Sequence, residues 1–84
     1  MLELHQFEGC PSCQPVRQEL DDLGLDYVVR TTPHAHPERS RVQEISGQSG
    51  VPVLVDPERG AVVTESTVII DYLREHYAAR ARSR

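Results

Sequence analysis

The sequence has no lysine, no long apolar run, no excess of positive charge and only two cysteines in 84 residues. Each scarcity excludes something. All nine basic residues are arginine, so no site can contain a lysine. Thirteen acidic residues against nine basic ones give a formal net charge of −4, which removes the electrostatic case for nucleic acid as a partner. No apolar stretch approaches the roughly 18 residues of a membrane helix, and no signal-type apolar segment follows Met1. A soluble, cytoplasmic protein without membrane association is therefore expected. No repeat, low-complexity tract or linker divides the chain, so residues 1–84 are expected to form a single domain. A chain this short buries only a little over ~60% of its unfolded surface and supports one small core. Two cysteines in a reducing compartment point to catalysis or metal binding before a scaffold.

Those two cysteines are the centre of the sequence. They lie three positions apart in Glu8-Gly9-Cys10-Pro11-Ser12-Cys13, after an apolar alternating run and before an amphipathic one. Strand, Cys-x-x-Cys, helix is the context in which the pair reads as thiol–disulfide chemistry. Pro11, with its fixed φ and missing N–H, is expected at the first helical position. Cys10 then sits at the helix N-terminus, where free N–H groups and the positive dipole end favour a thiolate. Such placement can lower a cysteine pKa from about 8.5 into the range of roughly 3.5–7.5. Cys13, one turn further in, faces the protein. Cys10 is expected to attack and Cys13 to resolve. Two other readings stay open. The pair could be half of a zinc site completed by His34 and His36, although His-x-His on a loop does not match the spacing of finger sites. A passive disulfide is the other, although so short a loop removes little chain entropy.

The rest of the chain supplies the frame. Leu2 and Leu4 alternate with Glu3 and His5 as a first strand, with His5 read as an ordinary surface residue. Val16, Leu20 and Leu23 form a helical stripe that Gly24 ends. Leu25 to Thr31 is β-rich, so the first helix joins two parallel strands. Pro37 is expected to open a short helix reaching about Ile45, with Val42 and Ile45 inward. Val53-Leu54-Val55 and Ala61 to Thr64 flank the turn signal Asp56-Pro57-Glu58-Arg59-Gly60 and form a hairpin. Ser66 or Thr67 is expected to cap a final helix carrying Val68, Ile69, Tyr72, Leu73 and Tyr77. Arginines at 80–84 would favour its C-terminal dipole. The order β-α-β-α-β-β-α gives an α/β fold, a four-stranded mixed sheet with three helices.

With Cys10-Pro11-Ser12-Cys13 in the first βα turn, the sequence resembles the thioredoxin-like fold in its glutaredoxin form over essentially its whole length. The motif is similar to the Cys-Pro-Tyr-Cys of dithiol glutaredoxins. Gly50-Val51-Pro52-Val53-Leu54-Val55 resembles the Val-Pro element whose proline, in that family, is cis and faces the redox cysteines. There the backbone before the proline pairs with the bound thiol peptide. Glu65-Ser66-Thr67-Val68-Ile69-Ile70-Asp71-Tyr72-Leu73 is similar to a pattern in the thioredoxin-like domain that begins glutathione transferases. In both families the turn entering the last helix binds the γ-glutamyl end of glutathione. A helix N-terminus suits a carboxylate there, Ser66 adds a hydroxyl, and Glu65 would pair with the ammonium. Read from the residues alone, Ser66 is a plain cap and Glu65 a favourable first-turn charge.

The departures are specific. Many glutaredoxins carry a lysine shortly before the first cysteine, where this sequence has Phe7. Arg41 is the substitute cation expected from sequence, and Gln48 stands where the family often has a basic or polar contact. Gly50 replaces a common threonine. The helical domain that completes a transferase is missing from this sequence, so transferase activity is not expected. The Cys-Gly-Phe-Ser of monothiol iron–sulfur carriers is absent. The resemblance implies a glutathione-dependent thiol–disulfide oxidoreductase with Cys10 and Cys13 catalytic and Val51, Pro52, Glu65 and Ser66 holding glutathione or a similar low-molecular-weight thiol. No tightly bound cofactor and no metal are expected. The implied partners are protein disulfides or glutathionylated proteins, with a flavoprotein reductase as an optional electron source, and the protein is expected to be a monomer. The alternatives are a thioredoxin-like reductase indifferent to glutathione and a zinc or iron–sulfur binding module.

Overall fold

The computed structural model describes residues 1–82, with side chains through residue 78. The expected arginine cluster at 80–84 lies outside the residues whose side chains are described. The elements are β1 (Leu2–Gln6), α1 (Gln14–Asp22), β2 (Tyr27–Thr31), α2 (Ser40–Ser46), β3 (Val53–Asp56), β4 (Ala61–Thr64) and α3 (Ser66–Arg82). They build one four-stranded sheet in the order β2-β1-β3-β4. β1 runs parallel to β2 and antiparallel to β3, and β3 runs antiparallel to β4. This is the mixed α/β arrangement expected from the element order, and the thioredoxin-like one that the resemblance implies. No helix of the described residues is long and apolar enough to cross a membrane.

Leu2, Leu4 and Leu54 on one sheet face pack against Val16 and Leu20 of α1 and Ile69, Leu73 and Tyr77 of α3. The i, i+4, i+8 spacing of Ile69, Leu73 and Tyr77 makes one stripe along α3. Val68, which shares the helical pattern, falls off that stripe and is 47% exposed. α1 ends as its sequence implies. Gly24 takes φ 66°, its N–H bonds Asp21 O, and the Leu25 N–H bonds Leu20 O at 2.9 Å, a Schellman closure. Leu25 is thereby spent on ending the helix, so β2 begins at Tyr27, two residues later than its composition implies.

Two expectations are corrected on the opposite face. His5 is not a surface residue; it is 1% exposed, because α2 and the loop before it cover the side of the sheet away from α1 and α3. Burial holds its pKa below the ordinary value; Glu3 pulls it up, and Arg41 and Arg30 push it further down. The helix expected from Pro37 to Ile45 is split. His36–Glu38 form a 3-10 turn, Arg39 leaves helical geometry at ψ 53°, and α2 follows. The break has a local cause. The Arg39 guanidinium turns inward and donates to Pro33 O at 2.7 Å and to His34 O and Ser49 O at 2.8 Å.

Candidate active site

Strand direction collects the predicted residues. In the β1–β3 register His5 faces Val53, and in the β3–β4 register Val53 faces Thr64. The exit of β1 toward Cys10, the approach of Val51-Pro52 to β3 and the exit of β4 into Glu65-Ser66 therefore share one end of the sheet. Six residues scattered over 57 positions become neighbours of one edge because two antiparallel pairings bring three chain crossings together.

The cysteine turn differs from its expected form. Residues 7–10 and 10–13 make two successive turns, closed by Cys10 N–H to Phe7 O at 3.2 Å and Cys13 N–H to Cys10 O at 3.3 Å. α1 begins only at Gln14, with Cys13 at the N-cap position and a proline in the first helical turn. That proline is Pro15, not Pro11. Having no N–H, Pro15 cannot donate into the helical ladder, so the regular bonds start with Arg17 N–H to Cys13 O at 3.1 Å. Cys10 thus stands one turn ahead of the helix. Its thiolate is favoured by local hydrogen bonds, not by being the helix cap.

The two thiols are strongly unequal. Cys10 is 3% exposed and Cys13 is wholly buried. Burial pushes the Cys10 thiol up, but hydrogen bonds from the Cys13 and Ser12 side chains and from the backbone N–H groups of both residues outweigh it, and Cys10 is held below its ordinary value. Burial pushes Cys13 up to about 12, with the hydrogen bond to Cys10 and the Cys10 charge acting in the same direction. The arrangement makes Cys10 the nucleophile and keeps Cys13 protonated as a donor to it until Cys10 loses its charge.

Ser12 ties this turn to the next chain crossing. Its Oγ lies 3.4 Å from Cys10 Sγ and donates to the Val51 carbonyl at 3.2 Å. The Val51–Pro52 peptide bond is cis, as the glutaredoxin resemblance implies, and Pro52 is buried. Behind this crossing sits the Arg39 clamp. Its bond to Ser49 O fixes the chain two residues before Val51, and its Cζ lies 5.2 Å from the centre of the Phe7 ring, which also meets His34 at 4.3 Å. Sequence reasoning missed Arg39. No periodic signal marks it: Arg39 follows Glu38 in a polar segment broken by two prolines and reads as an ordinary solvated charge.

Glu65 and Ser66 form the third crossing. Ser66 is the first residue of α3 and does not precede it as a cap; Glu65 occupies the cap position, and its carbonyl accepts the first helical bond from Ile69 N–H at 2.9 Å. Glu65 takes φ 72°, the only described non-glycine residue in the left-handed region. Such a conformation costs about 1–3 kcal/mol and gathers at functional positions. The N–H groups of Ser66, Thr67 and Val68 have no acceptor within the helix and face outward from its start. Arg41, the cation expected from sequence, lies elsewhere. With His5, Arg30 and Arg39 it lines a cavity of about 450 Å³ that none of the six predicted site residues lines. His36 Nδ1 is 2.8 Å from Ser49 Oγ, and among the described residues no group of three or more His, Cys, Asp or Glu side chains is placed to hold a metal ion.

Comparison with known proteins bears on the family and the fold. The family profile described as "Glutathione S-transferase, N-terminal domain" matches residues 4–81. The chain is 30% identical over 79 residues to the Gene 56 protein of Mycobacterium phage D29, covering 93% of this chain and 87% of that protein. Among solved structures it is similar to glutathione S-transferase 1-6 from Anopheles dirus species B, with TM-score 0.80 and 32% identity over 90% of this chain. It is also similar to a diazinon-metabolizing glutathione S-transferase of the silkworm Bombyx mori, with TM-score 0.82 and 26% identity over 95% of this chain. The chain spans 36% and 40% of those two transferases.

Proposed function

Because this chain belongs to the glutathione S-transferase N-terminal domain family, with its thioredoxin-like fold, we propose that it is a glutathione-using thiol–disulfide oxidoreductase. The observation that carries the reading is the inequality of the two thiols, one held low beside an exposed hydroxyl and one pushed up to about 12 behind it. A fold shared with transferases does not require a second cysteine. A buried Cys13 within hydrogen-bonding reach of Cys10 suits disulfide exchange.

The reaction follows from these positions. The Cys10 thiolate attacks one sulfur of a glutathionylated protein or a protein disulfide. The Cys10–S bond forms, the client S–S bond breaks, and the client thiolate departs and takes a proton from solvent. With its charge gone, Cys10 no longer opposes ionisation of Cys13. On a glutathionylated client the Cys10–glutathione disulfide is resolved by a second glutathione, releasing glutathione disulfide and the Cys10 thiolate, or by Cys13, releasing glutathione. On a protein disulfide Cys13 displaces the client's second thiol, and either Cys13 route leaves an internal disulfide that two glutathiones reduce. Val51, Pro52, Glu65 and Ser66 hold glutathione at the same sheet end. The free N–H groups starting α3 take its γ-glutamyl carboxylate, and the exposed Glu65 carboxylate takes its ammonium.

Kinetics of the double variant Glu65→Ala/Ser66→Ala test the assignment. The half-saturating glutathione concentration should rise at least tenfold, with Cys10 alkylation unchanged. An unchanged response to glutathione would leave the second reading, a dithiol reductase indifferent to glutathione, which the contact between Cys13 and Cys10 also supports.

A further inference from the structure

The Ser12 hydroxyl has one hydrogen and two claimants. With Cys10 a neutral thiol, the groups form a relay in which Cys10 S–H donates to Ser12 Oγ at 3.4 Å and Ser12 O–H donates to Val51 O at 3.2 Å. A thiolate has no hydrogen to give and accepts only. Once Cys10 ionises, its Sγ becomes the stronger acceptor, since a hydrogen bond to an ionised group is roughly twice as strong as a neutral one. The hydroxyl must then turn to the sulfur, and Val51 O is left without its donor.

We propose that Ser12 is a positioning residue that couples ionisation of Cys10 to the uncovering of the Val51 carbonyl, so that disulfides with an amide N–H beside their sulfur dock on the thiolate form. This rests on the oxidoreductase reading and adds a regulation of that same site: Ser12 sets when the backbone acceptor is free. The uncovered acceptor stands beside the attacking sulfur and is held there by two independent anchors, the buried Pro52 and the Arg39 bond to Ser49 O. The coupling works in both directions by linkage. A peptide that occupies Val51 O displaces the hydroxyl toward Cys10 and favours the thiolate. The other ionisable groups of the surrounding elements are Cys13 on the same turn, Glu8 in the loop before it, Arg17 on α1, His34 and Arg39 against Phe7, His36 on Ser49, and Glu65 before α3. None of these is altered by substituting Ser12.

Carbonyl and Cβ carbon-13 shifts of Val51 and Cys10, followed together through a pH titration of the reduced full chain, test the coupling. In the wild type the Val51 carbonyl should titrate with the Cys10 midpoint. In Ser12→Ala it should stay flat, and the thiolate fraction at a fixed pH below the midpoint should fall about tenfold or more for loss of one hydrogen bond to a charged group. Ser12→Thr should restore both. A Val51 carbonyl that is flat in the wild type, or that titrates equally in Ser12→Ala, overturns the coupling. S-methylglutathione, a peptide that cannot react, tests the docking step. It should lower the Cys10 midpoint in the wild type and Ser12→Thr but not in Ser12→Ala, and an equal effect in all three overturns it. Failure of S-methylglutathione to bind at any pH would instead sink the glutathione reading, while the carbonyl titration decides the coupling by itself.

Discussion

At one end of β3 the Asp56 carboxylate accepts hydroxyls from Tyr72 and Tyr77, each at 2.7 Å; at the other, the Cys10 thiol meets the hydroxyl of Ser12 at 3.4 Å. Both ends hold an acid with hydroxyl groups, and the difference lies in what else those hydroxyls can do. Asp56 is fully buried, and its two donors project from α3 beside the packed Leu73. Burial pushes its carboxyl up, but the two tyrosine hydroxyls and the backbone N–H groups of Glu58 and Arg59 more than offset that and hold it below the usual carboxylate range. Burial first, and the same contact second, push Tyr72 and Tyr77 up, so both phenols stay protonated as donors. Ser12, in contrast, is exposed and has a second acceptor within reach. One acid is locked, and it fastens the hairpin to the last helix. The other is poised and can change its partners. Charge held by donors committed to it is a structural device here; charge whose donors include a hydroxyl shared with a second acceptor is a reactive one.

The widest contrast is within the reactive end. Hydrogen bonds hold Cys10 below the ordinary thiol value, while burial pushes Cys13 up to about 12. At neutral pH Cys10 therefore carries the larger thiolate fraction, an advantage only partly offset because the more basic thiolate is intrinsically the better nucleophile. Iodoacetamide with mass-spectrometric mapping should accordingly label Cys10 at least about tenfold faster than Cys13. Equal labelling would break the inequality on which the mechanism rests.

At the locked end, Asp56→Ala removes the buried carboxylate that both tyrosine hydroxyls donate to and should cost about 2–4 kcal/mol in urea unfolding, with Cys10 alkylation unchanged in the folded protein. The pH dependence has a definite sign. A carboxyl lowered on folding stabilises fully above its unfolded value of about 4, and that contribution fades as the pH falls through the lower folded value. The stability gap between wild type and Asp56→Asn should thus be constant near neutrality and narrow below about pH 4. A gap that widens on acidification would contradict the assignment. Tyr72→Phe should have the smallest effect, about 0.5–1.5 kcal/mol, because Tyr77 continues to donate to the same oxygen.

What could be read from the sequence follows the same division. Periodicity and turn chemistry are local, so the order of elements along the chain, the Gly24 helix stop, the hairpin and the Ile69, Leu73 and Tyr77 stripe of α3 were all legible. The positions of Cys10, Cys13, Val51, Pro52, Glu65 and Ser66 at one sheet end needed the pairing of β1, β3 and β4, which only the family resemblance supplied. Asp56 was read as a turn residue because its two partners are 16 and 21 residues away on a helix face. His5 was read as exposed because alternation shows which face a side chain takes, not whether α2 covers that face. The helix start was misplaced by one turn because two prolines compete there, and the missing N–H of Pro15 decides it. Arg39 and the left-handed Glu65 left no periodic trace, since each acts through the backbone of other segments.

The most direct test of the account is turnover of a glutathionylated peptide by Cys13→Ser with glutathione as the sole reductant. Retained turnover is predicted, because Cys10 alone makes the attack and a second glutathione can resolve the mixed disulfide. Loss of turnover, in a protein whose wild type still reduces a protein disulfide, would contradict it and make the buried Cys13 the obligatory resolving thiol.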